Sequence, residues 1–134
     1  MSSLSAFLNP VSGQETRDIV ISRRFVGEDG NPVPFRIRSL TQAENEALRK
    51  RSMKTRRVNG QAQEYLDSAE FSSRMIVAAT VEPDFSSKEL CDAYGVLDPL
   101  MVPGKMLMAG EYAALMGAIT DLCGFSDTAE EVKN

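Results

Sequence analysis

The sequence predicts an α+β fold, with an N-terminal β-hairpin followed by about four helices, so that the chain is mostly α. Two patterns support this prediction. Apolar and other residues alternate over 33–38, as in a half-buried strand, and apolar residues recur with helical spacing over 112–123. A length of 134 residues fits one domain with its own hydrophobic core.

We divide the chain into a flexible N-terminal segment over residues 1–15, a single globular α+β domain over 16–125 and an acidic C-terminal tail over 126–134. The first segment is rich in Ser, Asn, Pro and Gly and holds one apolar island, Ala6-Phe7-Leu8. This composition is typical of a disordered tail. The island also permits a second interpretation, in which the segment docks into a neighbouring chain or a partner.

The expected hairpin joins a β-rich run over 17–26 to the alternating run over 33–38. Between them, Asp29-Gly30 favours a turn because glycine tolerates positive φ. Pro34 cannot donate to a strand ladder, which places it at an edge. Two strands alone are marginally stable, so helices must cover them or another chain must extend them. We therefore expect a homo-oligomer.

The first two helices are delimited by local signals. A capping box over residues 41–44 begins the first helix, which is expected to run to about Met53. We interpret residues 58–60 as a loop. A second helix is expected over 64–81, because Pro83 disfavours helical structure in the residue before it.

The second half of the chain shows further boundary signals. Ser86 and Glu89 form a capping box that begins a short helix, and Gly95 ends it. Asp98-Pro99 is typical of an N-cap followed by proline at the first helical position, and we expect Pro103-Gly104 to break the segment that begins there.

The last helix is marked by one apolar face, and Gly124 followed by Phe125 is typical of a Schellman ending. The residues of that face are Tyr112, Leu115, Met116, Ile119, Leu122 and Cys123.

The composition argues against several enzyme classes. The absence of histidine removes Ser-His and Cys-His nucleophiles and histidine-based metal sites. The sequence has neither a CxxC pair nor a glycine-rich phosphate loop. We therefore expect no enzyme and no catalytic, cofactor-binding or metal-binding residue. Cys91 and Cys123 are interpreted as reduced, structural thiols.

Charge is unevenly distributed along a chain of net charge −4. Residues 36–57 hold eight Lys and Arg against two acids, whereas residues 58–134 hold four against thirteen. This asymmetry indicates self-association or different partners at the two ends. The basic run over 49–57 could contact phosphates, but we interpret it as a solvated helix end, because the chain is acidic and no aromatic residues are interleaved. We expect no nucleic-acid partner.

The sequence also carries no sign of a membrane or an export route. Its apolar runs are too short to span a bilayer, and the first residues lack the features of a secretory signal. We expect a protein of the cytoplasm with no membrane partner.

Methionines are concentrated around the expected break at Pro103-Gly104. Flexible, polarizable thioethers suit surfaces that accept imprecise apolar partners, and the alternative is ordinary gap-filling in a small core. A nearby tyrosine adds an aromatic anchor with a polar tip. Our candidate partner-binding residues are Met101, Met106, Met108 and Tyr112.

Nearly the whole chain carries short segments in a characteristic order. They are Phe7-Leu8-Asn9-Pro10, Asn31-Pro32-Val33-Pro34-Phe35, Ser39-Leu40-Thr41, Thr80-Val81-Glu82-Pro83-Asp84-Phe85, Lys88-Glu89-Leu90, Asp92-Ala93-Tyr94-Gly95-Val96, Lys105-Met106-Leu107, Gly110-Glu111-Tyr112 and Cys123-Gly124-Phe125. In this combination the chain resembles the XkdN-like phage tail assembly chaperones. One departure is Ala109, where the family usually has a proline before Gly-Glu-Tyr.

The resemblance implies a chaperone that binds the long, largely helical tape measure protein and keeps it soluble before the tail tube polymerises. Such a chaperone is absent from the finished virion. The resemblance also implies that the chaperone binds the tape measure helix in a groove, and that many weakly bound copies supply avidity. The alternative is a structural or adaptor protein that is retained in the phage tail.

Overall fold

The computed structural model describes residues 3–11 and 13–124, and it confirms a mixed α+β architecture. The helices are α1 (Ser3–Leu8), α2 (Gln42–Arg51), α3 (Ser68–Ala79), α4 (Lys88–Ala93), α5 (Val102–Met106) and α6 (Ala109–Leu122), with a 3₁₀ turn at Pro99–Met101. The strands are β1 (Thr16–Ile19), β2 (Phe35–Arg38), β3 (Met53–Val58), β4 (Gln61–Leu66) and β5 (Thr80–Glu82).

The predicted N-terminal hairpin is present, with shorter strands than expected. β1 and β2 pair antiparallel, with Thr16 opposite Arg38 and Ile19 opposite Phe35. The predicted turn also forms: Gly30 has φ +81°, in the region that favours glycine. Residues 20–25 leave the ladder, so the two strands are joined by a long connection with a turn at its tip.

A third strand, which the sequence did not indicate, completes this sheet. β5 pairs antiparallel with the other side of β2, giving the order β1-β2-β5. Thr80 and Val81 had been assigned to the end of the second helix, but that helix stops at Ala79. Because the same chain extends the hairpin, the argument that another chain must do so no longer holds. Self-association stays a prediction.

A second hairpin stands where a loop and the start of a helix were expected. β3 and β4 pair over six residues each, and the helix expected over 64–81 begins at Ser68 instead. Asn59 and Gly60 both have positive φ, 54° and 80°, which is the requirement of a two-residue type I′ turn. Residues 55–64 are exposed. The β3–β4 hairpin, which we call the arm, therefore shows no alternation of buried and exposed residues from which the sequence could have predicted its strands.

The core confirms the apolar face predicted for the last helix. Leu115, Ile119 and Leu122 are buried on α6, which packs against α3 and β2. The core as a whole consists of Phe35, Ile37, Met75, Ile76, Ala79, Phe85, Cys91, Val102, Met106, Leu107, Leu115, Ile119 and Leu122.

Two of the predicted boundary signals act as expected. The Thr41 hydroxyl accepts from the Glu44 N–H at 3.1 Å, and the Glu44 carboxylate accepts from the Thr41 N–H at 3.0 Å, which is a complete capping box. Gly95 ends α4 with φ +67°. The Val96 N–H donates to the Cys91 carbonyl at 3.0 Å, as in a Schellman motif.

Two other boundary predictions are wrong. The residue that caps α4 is Ser87, whose hydroxyl accepts from the Leu90 N–H, whereas the Ser86 hydroxyl bonds to Asp84 at 2.6 Å. Pro103-Gly104 does not interrupt the segment that begins at Asp98-Pro99. The 3₁₀ turn is followed directly by α5, and α5 contains both residues. Pro103 lies in the first turn of that helix, where the missing N–H would have had no helical partner.

The flexible N-terminal segment and the acidic C-terminal tail of the division made above stay predictions. The N-terminal segment expected to be flexible contains α1, which buries none of its residues. The Schellman residue Phe125 and the acidic tail over 126–134 lie outside the described residues.

We expect Thr41→Ala to lower the free energy of unfolding by about 1 kcal/mol, because it removes the acceptor that satisfies a free N–H at the start of α2. Chemical denaturation of the parent and the variant measures this difference. Thr55→Ala, at an exposed position of the arm, is the control, and an equal loss in both variants would contradict a specific capping effect.

Candidate partner-binding surface

The methionines of the candidate surface divide into two groups. Met101 is 52% exposed and Met108 is 62% exposed, whereas Met106 is only 8% exposed and belongs to the core. The expectation that all three lie on a loop surface is therefore wrong for Met106. It is wrong because residues 102–106 form a regular helix, α5, whose inner face packs into the domain.

Tyr112 is half-buried in the first turns of α6, and its hydroxyl lies 3.4 Å from the Ser73 hydroxyl of α3. Ser73 and Met101 line the same groove, of about 260 Å³, between the start of α3 and the 3₁₀ turn. Met108 directly precedes α6, and its carbonyl accepts from the Tyr112 N–H at 2.9 Å. We call Met101, Met108 and Tyr112 the junction surface.

Arg24 holds the junction between α5 and α6 in place. Its guanidinium donates to both carboxylate oxygens of Glu111, one of them at 3.0 Å, and to the Met106 carbonyl at 3.0 Å. The Glu111 carboxylate also accepts from the Met108 N–H at 2.8 Å. These bonds tie the last residue of α5 to the residue before α6, and so fix Met106 inward and Met108 outward.

The charge state of Glu111 follows from these contacts. The Arg24 guanidinium, the Ser22 hydroxyl and the Met108 N–H together lower the pKa of Glu111 to about 2. The carboxylate is therefore ionised at neutral pH. An ionised carboxylate bound bidentately by arginine has a defined geometry, which a neutral one would not impose.

The groove beside Met101 has an acidic border formed by Asp67, Glu70 and Asp98. Glu70 is bound by Lys54 at 2.9 Å and by Arg74 at 3.2 Å, and its pKa is lowered, mainly by the bond from Lys54. Asp67 and Asp98 accept N–H bonds at the starts of α3 and the 3₁₀ turn. The two cations balance the charge of Glu70, so the acidic character of the groove rests on Asp67 and Asp98. Beside the apolar Met101, these two carboxylates favour an apolar partner segment flanked by basic residues.

Sequence reasoning missed the two residues that position this surface, Arg24 and Ser73. Arg24 lies in the run expected to be a strand, and its partner Glu111 is 87 residues away. Ser73 lies among ordinary helix residues. No local pattern marks a contact that depends on the packing of distant elements.

The basic run over 49–57 is only partly a helix end. Arg49, Lys50 and Arg51 occupy the last turn of α2, but Lys54 and Arg56 lie on β3. Lys54 pairs with Glu70, and the Arg56 guanidinium lies 4.6 Å from the centre of the Tyr65 ring. Arg57 also donates to the Gly60 carbonyl at 3.0 Å, so three of the cations have partners within the chain.

The part of the chain that the structure describes holds no group of three or more His, Cys, Asp or Glu placed to bind a metal ion. Cys91 is buried and Cys123 is half-buried, and both are free thiols. Over residues 3–11 and 13–124, no helix has the length and apolar character needed to cross a bilayer.

A family model described as "Phage XkdN-like tail assembly chaperone protein, TAC" matches residues 4–134. The chain thus belongs to the XkdN-like family of phage tail assembly chaperones, as its resemblance to that family implied.

Two proteins of Bacillus subtilis strain 168 are similar to this chain. The uncharacterized protein YqbN is 36% identical over 121 residues, which cover 89% of this chain and 81% of YqbN. The phage-like element PBSX protein XkdN is 34% identical over 117 residues, covering 86% and 79%. The crystal structure of YqbN matches with a TM-score of 0.77 at 33% identity, over 94% of this chain and 99% of that one.

We expect Met106→Ala to lower the free energy of unfolding by about 2–5 kcal/mol, because it leaves a cavity in the core. Met108→Ala should change it by less than about 0.5 kcal/mol, because that side chain is exposed. Chemical denaturation of both variants under the same conditions tests whether Met106 is buried and Met108 is exposed. Equal losses in the two variants would show that the junction is not arranged as described.

We expect the stabilising effect of Glu111 to disappear in acid. Its folded pKa, about 2, lies below the ordinary value of 4.5, so the ionised carboxylate stabilises the fold above about pH 4.5 and this contribution is lost as the pH falls toward 2. The melting temperature of Glu111→Gln should therefore lie below that of the parent at neutral pH and approach it in this acidic window. Glu28→Gln, at an exposed turn position, is the control, and a pH-independent difference for Glu111→Gln would contradict the assignment.

Proposed function

We propose that this protein binds the phage tape measure protein and keeps it soluble before the tail tube polymerises, acting in the host cytoplasm and catalysing no reaction. Membership of the tail assembly chaperone family supports the general role. The single structural observation behind the finer proposal is the junction surface, where Met101 and Met108 are exposed and the Tyr112 hydroxyl lies beside Ser73 of the groove next to Met101.

The chemistry of the junction surface fits a long helical partner with apolar stripes. Met101 and Met108 are flexible thioethers, which adapt to side chains of different shapes. The Arg24–Glu111 bonds fix the backbone that carries Met108, so little backbone order has to be gained on binding. The acidic border around Met101 adds a preference for helices whose apolar residues are flanked by lysine or arginine.

A single junction surface is too small for tight binding, and the proposed function does not require tight binding. A tape measure protein offers many similar segments along its length. Several weakly bound copies on one tape measure chain would cover its apolar surface. If these copies are also held close together, avidity raises their overall affinity for that chain.

We expect the double variant Met101→Ala, Met108→Ala to capture less tape measure protein than the parent does, with an unchanged melting temperature. Both side chains are exposed, so their removal should affect contacts with a partner and not the core. Co-expression with the tape measure protein, followed by co-purification and a thermal melt, measures both properties. Val20→Ala is the control, since Val20 is 53% exposed but lies outside the junction surface. Undiminished capture by the double variant would refute this surface.

The protein content of purified phage particles separates the two functions considered for the family. A chaperone that leaves before the tube closes should be missing from finished particles. A structural or adaptor protein should be present in a fixed ratio to the tail proteins, and that result would replace the proposed function by the alternative.

A further inference from the structure

The N-terminal helix α1 presents a strongly exposed apolar face. Leu4, Phe7 and Leu8 follow the spacing i, i+3 and i+4, which places them on one side of α1. Phe7 is 78% exposed and Leu8 is 68% exposed, and no residue of α1 is buried. A helix of six residues has little stability on its own in water, so docking on an apolar surface would stabilise it.

The same chain has an apolar depression that could receive such a helix. It has a volume of about 150 Å³ and is lined chiefly by Phe25, Val33, Pro34, Phe35 and Met106. This is small for a drug-sized ligand but suits a single inserted side chain. We call α1 the plug and this depression the socket.

The charges of the plug and the socket match. No charged residue occurs from Ser3 to Gln14. Within the described residues, Glu82 is the one charged residue among those that line the socket. An uncharged plug therefore loses no charge hydration on entering the socket.

The segment that leads to the plug and the socket itself lie at opposite ends of β2. The Glu15 N–H donates to the Ser39 hydroxyl at 2.9 Å, and the Ser39 N–H donates to the Glu15 carbonyl at 2.8 Å, so the segment leading to α1 departs beside the Arg38 end of β2. The socket lies at the other end, where Phe35 begins the strand. In the structure the plug does not fill its own socket, because Phe7 is exposed.

We propose that α1 of one copy docks into the socket of a second copy, with Phe7 as the inserted side chain. Each copy would then donate one plug and accept one. The same contact closes into a two-fold pair when two copies exchange plugs, and builds a row or a ring when each copy docks on the next. This assembly needs no tape measure protein, so it goes beyond the proposed function.

The first test uses purified protein alone. Light scattering at high concentration should give the parent a mass of two or more chains, and Phe7→Asp the mass of one chain, because the substitution places a charge in an apolar socket. Leu97→Asp is the matched control: Leu97 is fully exposed and lies in neither the plug nor the socket, so it should keep the parent mass. Phe7 makes no buried contact within the chain, so Phe7→Asp should fold as the parent does.

The second test distinguishes plug-in-socket docking from other contacts between copies. Val33→Arg alters the socket at a residue that is 44% exposed, and it should also give single chains. Phe7→Asp keeps an intact socket and Val33→Arg keeps an intact plug, so a mixture of the two should form a complex of two chains and nothing larger. If Val33→Arg fails to fold, the result with Phe7→Asp still decides the proposal.

Several outcomes would overturn the proposal. A parent protein that is a single chain at high concentration excludes it, and so does Phe7→Asp with the parent mass. A parent that is a single chain, together with loss of tape measure capture by Phe7→Asp, would assign the plug to that partner and not to a second copy. These results do not depend on Met101 or Met108, so they are separate from the test of the proposed function.

Discussion

The central position of β2 is the constraint on which the rest of the domain depends. This strand is hydrogen-bonded on both sides, to β1 and to β5, and its alternate residues Phe35 and Ile37 are buried in the core. Its outward residues, Arg36 and Arg38, pair with Asp18 on the neighbouring strand and with Glu44 in the first turn of α2. The four residues of β2 thus connect the sheet, the hydrophobic core and the start of α2. Because α3 continues directly into β5, the pairing of β5 with β2 also positions α3 over the sheet.

The ion pairs of this protein define geometry more than they add stability. Exposed ion pairs contribute little net free energy, whereas a bidentate arginine–carboxylate pair restricts both distance and orientation. The pairs formed by Arg38 with Glu44 and by Arg24 with Glu111 each connect a segment near the sheet to the beginning of a helix. In both cases the carboxylate also accepts the N–H of its own N-cap residue, and in both its pKa is lowered to about 2.

Neighbouring methionines have opposite environments in this fold, and this separation matters for the proposed binding. Met106 and Leu107 are buried where α5 ends, and Met108 emerges at the start of α6. The Arg24 bonds to this junction keep its backbone in one arrangement, so the exposed thioethers are flexible side chains on a fixed support. Such a combination accepts varied partners while limiting the entropy lost on binding.

Local patterns in the sequence determined the elements whose signals lie within a few residues: the turn at Gly30, the capping box at Thr41, the glycine end of α4 and the buried face of α6. The short segments in their order also indicated the family. Only the tertiary structure decided that Thr80–Glu82 pairs with β2 and that Met106 is in the core. A three-residue strand without alternation is specified by the partner that it meets, and a methionine is equally compatible with core and surface. Contacts between distant parts of the chain therefore settled what local spacing left open, because burial and pairing depend on neighbours that the local sequence does not contain.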